Sequence, residues 1–413
     1  MKKLRILGVL LASIAAVFFS IPTDAATEFF TGIKSMAADG HEAVYATVVT
    51  SPIIALQNYQ GTYEKKLFST AMNEMEVLQD IDFLTRVKSK RQMTKLTVGN
   101  GARPYAGGKE QLEGEDLKYT GTTLEVELFQ RDYSVEIKRY YEQWLEQELR
   151  PAEGSSSQQK TLPFAAYTTN EITKSLKAEL NDKTAYHGFN KADAVAYDAG
   201  DTYAVGDYIT FVEGEVTNYY ECLAITTAGQ SPTTTAAKWK KVNAEAICPG
   251  IGYRLQEQIT AATIVPVTIG EIDNSSVFAY AAHTELFRSH TDAHKKMGAT
   301  HFCSWDQFFL LLDDIEDKVA KYTEKDSVWV NGRGIYLPKT NRKCLILPCS
   351  WMSDTERIIS TPGMNLKGGT DLTSDMNTMK TREATNYISV TSITGTMGFC
   401  IQDPLAVRCN DRV

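Results

Sequence analysis

Arg86-Val87-Lys88-Ser89-Lys90-Arg91-Gln92-Met93-Thr94-Lys95-Leu96 is a basic run that leads into Gly99, Gly101, Pro104, Gly107 and Gly108. Beyond that tip, Leu124, Val126 and Leu128 alternate with Glu125 and Glu127, and Val135 and Ile137 resume the pattern after Tyr133. Alternation flanking a glycine-rich tip reads as a long two-stranded excursion. An isolated two-stranded ribbon buries too little to be stable alone. The stretch 86–138 therefore predicts a neighbour on which to lie.

On the N-terminal side, Leu67, Ala71, Met75 and Leu78 recur at three- and four-residue steps and predict a helix around Tyr63–Leu78. On the C-terminal side, Tyr140–Leu149 reads as a short helix closed by Pro151 and the Gly154-Ser155-Ser156-Ser157 linker. Thr169-Asn170-Glu171 then opens a helix with Ile172, Leu176 and Leu180 on one face. Val195–Val242 changes character: rich in Thr, Tyr and Gly, it reads as several short strands forming a small β module between helical parts. A helix-rich block follows over Val277–Val319, and short strands and turns dominate from Ser327 to Val413.

The chain has 413 residues, room for two or three domains at roughly 150 residues each. It is 43% apolar and 23% charged, so it can bury a core. Its 43 Lys and Arg against 51 Asp and Glu give a net charge of −8, which argues against a surface built to coat nucleic acid. Seven cysteines at scattered spacings, with no CxxC pair, predict reduced, buried thiols rather than a disulfide framework or structural zinc. The N-terminus is basic over Met1–Arg5 and apolar over Ile6–Phe19, with small residues near Thr23-Asp24-Ala25. That pattern fits a secretory signal peptide, and the run is short for a membrane span. An apolar arm that packs on a partner subunit, or a cleaved pro-segment, fits the same residues.

Chemistry-bearing motifs are sparse. His283, His290, His294 and His301 fall in one block, and the i, i+4 pair His290/His294 would share a helix face. Thr291 stands where a zincin pattern has Glu, so a polar helix face is the favoured reading over a metal site. Asp313, Asp314, Glu316 and Asp317 cluster without EF-hand spacing. There is no GxSxG elbow, no P-loop and no GxGxxG. The sequence predicts a protein that is not an enzyme and uses no cofactor.

Two blocks resemble the major capsid proteins of tailed bacteriophages. One is Trp351-Met352, then Arg357-Ile358-Ile359-Ser360-Thr361-Pro362, Asn365-Leu366 and Gly369-Thr370-Asp371; upstream of it, Met297–Ser304 with Asp306, and Gly332-Arg333-Gly334-Ile335-Tyr336-Leu337, keep the family order. The other is Lys88–Trp144, similar to the family's extended loop. The resemblance implies an α+β chain with the Hong Kong 97-type capsid fold: a peripheral domain with a spine helix, an axial domain, an extended β loop and an N-terminal arm. It divides the chain into a signal-like or arm segment (1–26), an N-terminal arm (27–85), the extended loop (86–138), a peripheral domain with spine helix (139–194), an inserted all-β module (195–248), an axial domain and helices (249–342), and C-terminal strands (343–413).

The insert has a resemblance of its own. Tyr203-Ala204-Val205-Gly206-Asp207-Tyr208, Tyr219-Tyr220-Glu221-Cys222, Gly229-Gln230-Ser231-Pro232 and Trp239 look like the small chitin-binding-type carbohydrate modules. The stretch that carries the stacking aromatics in that family is Ala224-Ile225-Thr226-Thr227 here. Tyr197, Tyr203, Tyr208, Tyr220 and Trp239 are thus candidates either for glycan binding or for the core of the insert.

The family resemblance implies a shell subunit whose partners are copies of itself in pentamers and hexamers, scaffolding and portal proteins, and packaged DNA held without sequence specificity. Its place would be the virion, assembled in the host cytoplasm, with surface glycans as a further partner of the insert. The rival reading is an exported carbohydrate-binding protein; a metal-dependent hydrolase ranks last. The inter-subunit candidates are Arg86, Lys88, Lys90 and Arg91 at the base of the arm, facing the acids Asp313, Asp314 and Asp317 of a neighbour. Arg357, Thr361, Pro362, Asn365, Gly369 and Asp371 are the structural residues of the family motif.

Overall fold

The computed structural model describes residues 75–98, 117–136, 164–242, 247–318, 332–371, 378–385 and 388–412. All of them lie in the second of the chain's two units, Ala55–Val413. The signal-like N-terminus, the glycine-rich tip, the helix expected at Tyr140–Leu149 and the serine linker lie outside the described residues, as does most of the helix expected at Tyr63–Leu78.

A ribbon forms, but its return strand lies earlier than the alternation places it: of the alternating residues only Leu124 and Glu125 belong to it. β2 (Lys90–Val98) pairs antiparallel with β3 (Leu117–Glu125), from Lys90 opposite Glu125 to Val98 opposite Leu117. The pattern read as one excursion to Ile137 divides at Val126. β4 (Glu127–Glu136) leaves the ribbon and pairs along β15 (Ile388–Ile401), Glu127 opposite Met397 and Glu136 opposite Ile388. Alternation alone cannot separate these strands, because both have one buried face.

β15 organises the first sheet. β14 (Thr378–Thr385) and β4 pair with it, and β13 (Leu366–Gly369) pairs with its last residues. β1 (Asp82–Leu84) completes the sheet, parallel to β13. Two helices cover it. α2 (Phe164–Ala178) begins five residues before the expected Thr169 and buries Ile172 and Leu176, while α3 (Ile251–Thr260) buries Ile251 and Leu255. These side chains meet Phe129, Ile393, Met397, Phe399 and Ile401 of the sheet in one core. α2 runs on into a π-helical turn, Glu179–Thr184. That turn buries Leu180 and also Asn181, whose amide accepts from the Val77 N–H at 3.2 Å and donates to Ser350 Oγ at 2.8 Å. The short helix α1 (Glu76–Asp80) is tied down there. Arg333 pairs with both Glu76 and Asp80, and the Trp351 indole donates to Asp80 at 2.8 Å.

The second sheet runs β10 (Ile335–Tyr336), β11 (Cys344–Pro348), β9 (Ala299–Cys303), β12 (Ile359–Thr361), β16 (Arg408–Cys409). β9 and β11 are parallel. On one face, α4 (Ala279–Arg288) and α6 (Trp305–Lys318) bury Ala282, Leu286, Phe308, Leu311 and Ile315 against Cys303, Cys344 and Ile346. Phe302, the neighbour of Cys303, points into the first core instead. Successive residues of a strand face opposite ways, so β9 joins the two cores. A short helix, α5 (Asp292–Met297), precedes β9.

Between α2 and α3 stands a four-stranded sheet, β5 (Val195–Ala196), β6 (Tyr208–Glu213), β7 (Val216–Cys222) and β8 (Trp239–Val242). The residues that bracket it touch: the Gly250 N–H donates to Gly188 O at 2.8 Å. Side chains at either position would strike backbone, Gly188 against Thr184 O at 2.6 Å and Gly250 against Tyr186 O at 2.6 Å. Chain ends that already meet need little linker to close. Replacing residues 190–248 by a short Gly-Ser link is expected to leave a soluble chain with a cooperative thermal transition; loss of the transition would show that the sheet is needed for the rest to fold.

Candidate functional site

The motif residues Arg357–Asp371 carry the chain from the second sheet, through β12, into the first, through β13. Nearly all are buried; the exception is the turn at Gly363 and Met364, where Met364 adopts a φ of 62°. Asn365 closes that turn. Its amide donates to Thr361 Oγ1 at 2.9 Å and to Asp403 O at 3.0 Å, while its carbonyl oxygen accepts from Asp403 N–H at 2.8 Å. Pro362 is buried between them. Arg357 donates from Nε to Arg412 O and from Nη1 to Gln256 Oε1 at 3.3 Å, tying the C-terminus to α3. Asn410 does the same for the strand: Ile358 N–H donates to its Oδ1 and its Nδ2 donates to Glu356 O, both at 2.8 Å. Asp371 N–H donates to Thr396 Oγ1 at 2.9 Å, and Asp371 forms an isolated antiparallel bridge with Arg86.

Gly369 pairs with Gly398 across β13 and β15, and the root of the ribbon rests on both. A β-carbon on Gly369 would lie 2.7 Å from Leu124 Cδ2, and one on Gly398 would overlap the Glu125 carbonyl oxygen. Around this point Val87, Leu124 and Cys400 are buried together, with Leu84, Met93 and Val126 against them. Two further links fasten the ribbon as far as Lys95. Lys95 pairs with Asp403, and Thr122 Oγ1 donates to Gln402 O at 3.3 Å.

The charged candidates divide. Arg86, Lys88 and Arg91 are exposed at the ribbon root. Lys90 is exposed but pairs with Glu125 across the hairpin at 2.6 Å. Asp313 is exposed on α6, whereas Asp314 is buried and accepts from the Tyr280 N–H at 2.8 Å, at the start of α4. Asp314 is therefore engaged inside its own chain, a correction to its expected role between subunits. The side chain of Asp317 lies outside the described residues.

The five aromatic candidates of the β5–β8 sheet face its own interior and its base. Tyr203, Tyr220 and Trp239 are buried with Ile209 and Cys222, and Tyr197 packs against them. Tyr203 and Trp239 meet edge to face at 5.5 Å, and the Trp239 indole donates to Gln230 O at 3.1 Å. Tyr208 lies on the other side, stacked on Phe189 at 5.0 Å and packed on Tyr253 of α3. The large apolar side chains exposed on this sheet and its loops are aliphatic: Val195, Val212, Val216 and Ile225. Sugar faces stack on exposed rings, and these rings are occupied with one another. At the base, Tyr208 OH donates to Glu221 at 3.2 Å, and Lys240 Nζ donates to Asp354 O at 2.5 Å. Burial raises the Glu221 carboxyl and lowers the Lys240 ammonium from their ordinary values.

The histidine block holds no shared helix face: α4 ends at Arg288 and α5 starts at Asp292, so His290 lies between helices. His283 and His301 are fully buried with Nδ1 atoms 3.0 Å apart, one ring donating to the other, and His290 Nε2 contacts Ser360 Oγ at 2.6 Å. Among the described residues no group of three or more His, Cys, Asp or Glu could hold a metal ion. All seven cysteines are buried and free. Sequence reading missed the parts played by Asn410 and Asp403, whose partners lie 38 to 54 residues away. No local pattern marks such pairs.

No protein-family model and no curated protein matches the chain. Among solved structures it is similar to the procapsid of satellite phage P4 with its size determination protein: 11% identity, TM-score 0.46, covering 95% of this chain and 98% of that one. It is also similar to a virus-like particle from Pyrococcus furiosus (8% identity, TM-score 0.40, covering 86% and 99%). The capsid of the Myoviridae phage XM1 gives 9% identity and a TM-score of 0.40, covering 82% and 92%.

Two outcomes follow for stability. Asn365→Ala removes three hydrogen bonds, one buried and two part-buried, and leaves partners unmatched, at a cost of about 1–3 kcal/mol, read as a lower thermal midpoint. Burial holds His290 near 4 and His283 near 3, against 6.5 for a free ring. Below 6.5 the unfolded chain then binds protons that the folded chain refuses. Stability is full above pH 6.5 and falls as pH drops towards 4, which urea midpoints measured across that range would reveal. His290→Gln should flatten part of the fall.

Proposed function

We propose that this chain is a major capsid subunit of a tailed bacteriophage, built on the Hong Kong 97-type fold, which assembles with copies of itself into an icosahedral shell around double-stranded DNA. The observation that carries this reading is the β2–β3 ribbon. Its two strands pair only with each other among the described residues, and its root is fastened to the first sheet through Leu124, Gly369 and Gly398. A ribbon fastened through its first residues, with both edges unpaired among the described residues, is a surface that another chain can complete. The family-like run Arg357–Asp371 supports the same reading, because its residues serve packing and joining rather than chemistry.

Each subunit then makes several modest contacts, and repetition makes the shell strong. The net charge of −8 suits a wall that contains DNA without trapping it through phosphate contacts. Scaffolding and portal proteins belong to this reading as partners, and the virion as the location. The β5–β8 sheet becomes a surface decoration. An exported carbohydrate-binding protein is not favoured, since the aromatic rings of that sheet are packed on one another.

The test is size exclusion followed by negative-stain electron microscopy of the full chain and of a chain from Thr27 onward. Rings of five or six subunits, or closed shells, are expected; a monomer at every concentration, with or without the N-terminal segment, would overturn the reading. Arg91 is exposed at the ribbon root, and a charge repeated at every boundary adds up although single exposed pairs are weak. Arg91→Glu is expected to lower particle yield with unchanged far-UV circular dichroism. Full yield at physiological salt would remove Arg91 from the interface.

A further inference from the structure

The second sheet carries two unlike surfaces at opposite ends of β9. Met297 and Gly298 lead into the strand, and Ser304 and Trp305 follow its last residue. Five residues of strand separate them by about 16 Å.

At the leading end, Met297 is 71% exposed, and Lys296 beside it is exposed. The loop between β10 and β11 joins this surface, because the Ala299 N–H donates to Lys343 O at 2.8 Å and Gly298 lies against the same carbonyl. That loop presents Lys339, Arg342 and Lys343 to solvent. Lys339 and Arg342 have φ values of 63° and 57°, so the loop is tightly turned. One exposed thioether thus shares this end of the sheet with four exposed cations.

At the trailing end, α6 turns an aromatic face outward. Phe309 is 53% exposed and Trp305 36%, with ring centroids 5.7 Å apart. Asp306 and Asp313 are exposed along the same helix. Large exposed aromatics rimmed by charge mark a surface that binds something. Methionine sulfur is a favourable neighbour for aromatic rings, and the charges at the two ends are opposite.

We propose that the occupant of the α6 face is the Met297 end of a second copy of this chain. Met297 of one subunit lies against Trp305 and Phe309 of the next, with Lys296 and Arg342 facing Asp306 and Asp313. The two surfaces differ, so the contact is head-to-tail, and repetition about one axis closes a ring. This rests on the self-assembly reading and adds which residues meet within a ring.

The seven native thiols are buried, so introduced surface thiols are the ones that react. Met297→Cys and Phe309→Cys chains are made separately, co-expressed as a mixture, and treated with a short bismaleimide after assembly. Cross-linked dimers are expected from the mixture and not from either variant alone, and the chain carrying both substitutions should give a ladder of multimers. In that doubly substituted chain, Lys296→Glu should abolish the ladder, and Asp306→Lys added to it should restore the ladder. Particles without mixed cross-links would overturn this contact while leaving self-assembly standing. Dimers from Phe309→Cys alone would replace it by a symmetric contact between two α6 faces. A wild-type chain that stays monomeric would overturn both readings.

Discussion

Gly369 and Gly398 face one another across β13 and β15, and the chain that turns from β3 into β4 lies directly on them. The approach is so close that neither position has room for a side chain. That contact sets the path of everything around it. β4 pairs along β15 beside it, and Leu124 is buried with Val87 and Cys400.

The residues that join the two sheets form a second constraint. Between Ile359 in one sheet and Leu366 in the other, the chain makes a single turn held by Asn365. Side-chain amides suit this place, since each offers a donor and an acceptor to backbone groups that no ladder satisfies. Asn410 extends the same principle to the C-terminal residues, and the Arg357 guanidinium adds a donor to the Arg412 carbonyl. Together these bonds tie the two sheets to each other and to the C-terminal residues.

The β5–β8 sheet shows how aromatic content misleads when read without burial. Tyr, Trp and Gly at those spacings suit either a sugar platform or a small core. A sheet this small has few aliphatic side chains to bury, so its rings supply the core. Its base is held by Tyr208 against Phe189 and Tyr253, and by Lys240, which donates to Asp354 O. These contacts fix the sheet to the body.

The local pattern by itself determined that the chain makes a ribbon entered near Lys90, the apolar face Ile172–Leu176–Leu180, the strand-rich character of 195–242 and the scarcity of catalytic motifs. Each depends on side chains that repeat along one element. Only the tertiary structure decided that the alternation splits at Val126, that Asp314 is enclosed while Asp313 is exposed, and that His290 stands between two helices. It also decided the parts of Gly398, Asp403 and Asn410, whose partners are remote in sequence. The physical reason is common to all of these. Burial and hydrogen-bond partnership depend on which distant surfaces come together, and a one-dimensional pattern records only which side of its own element a residue faces.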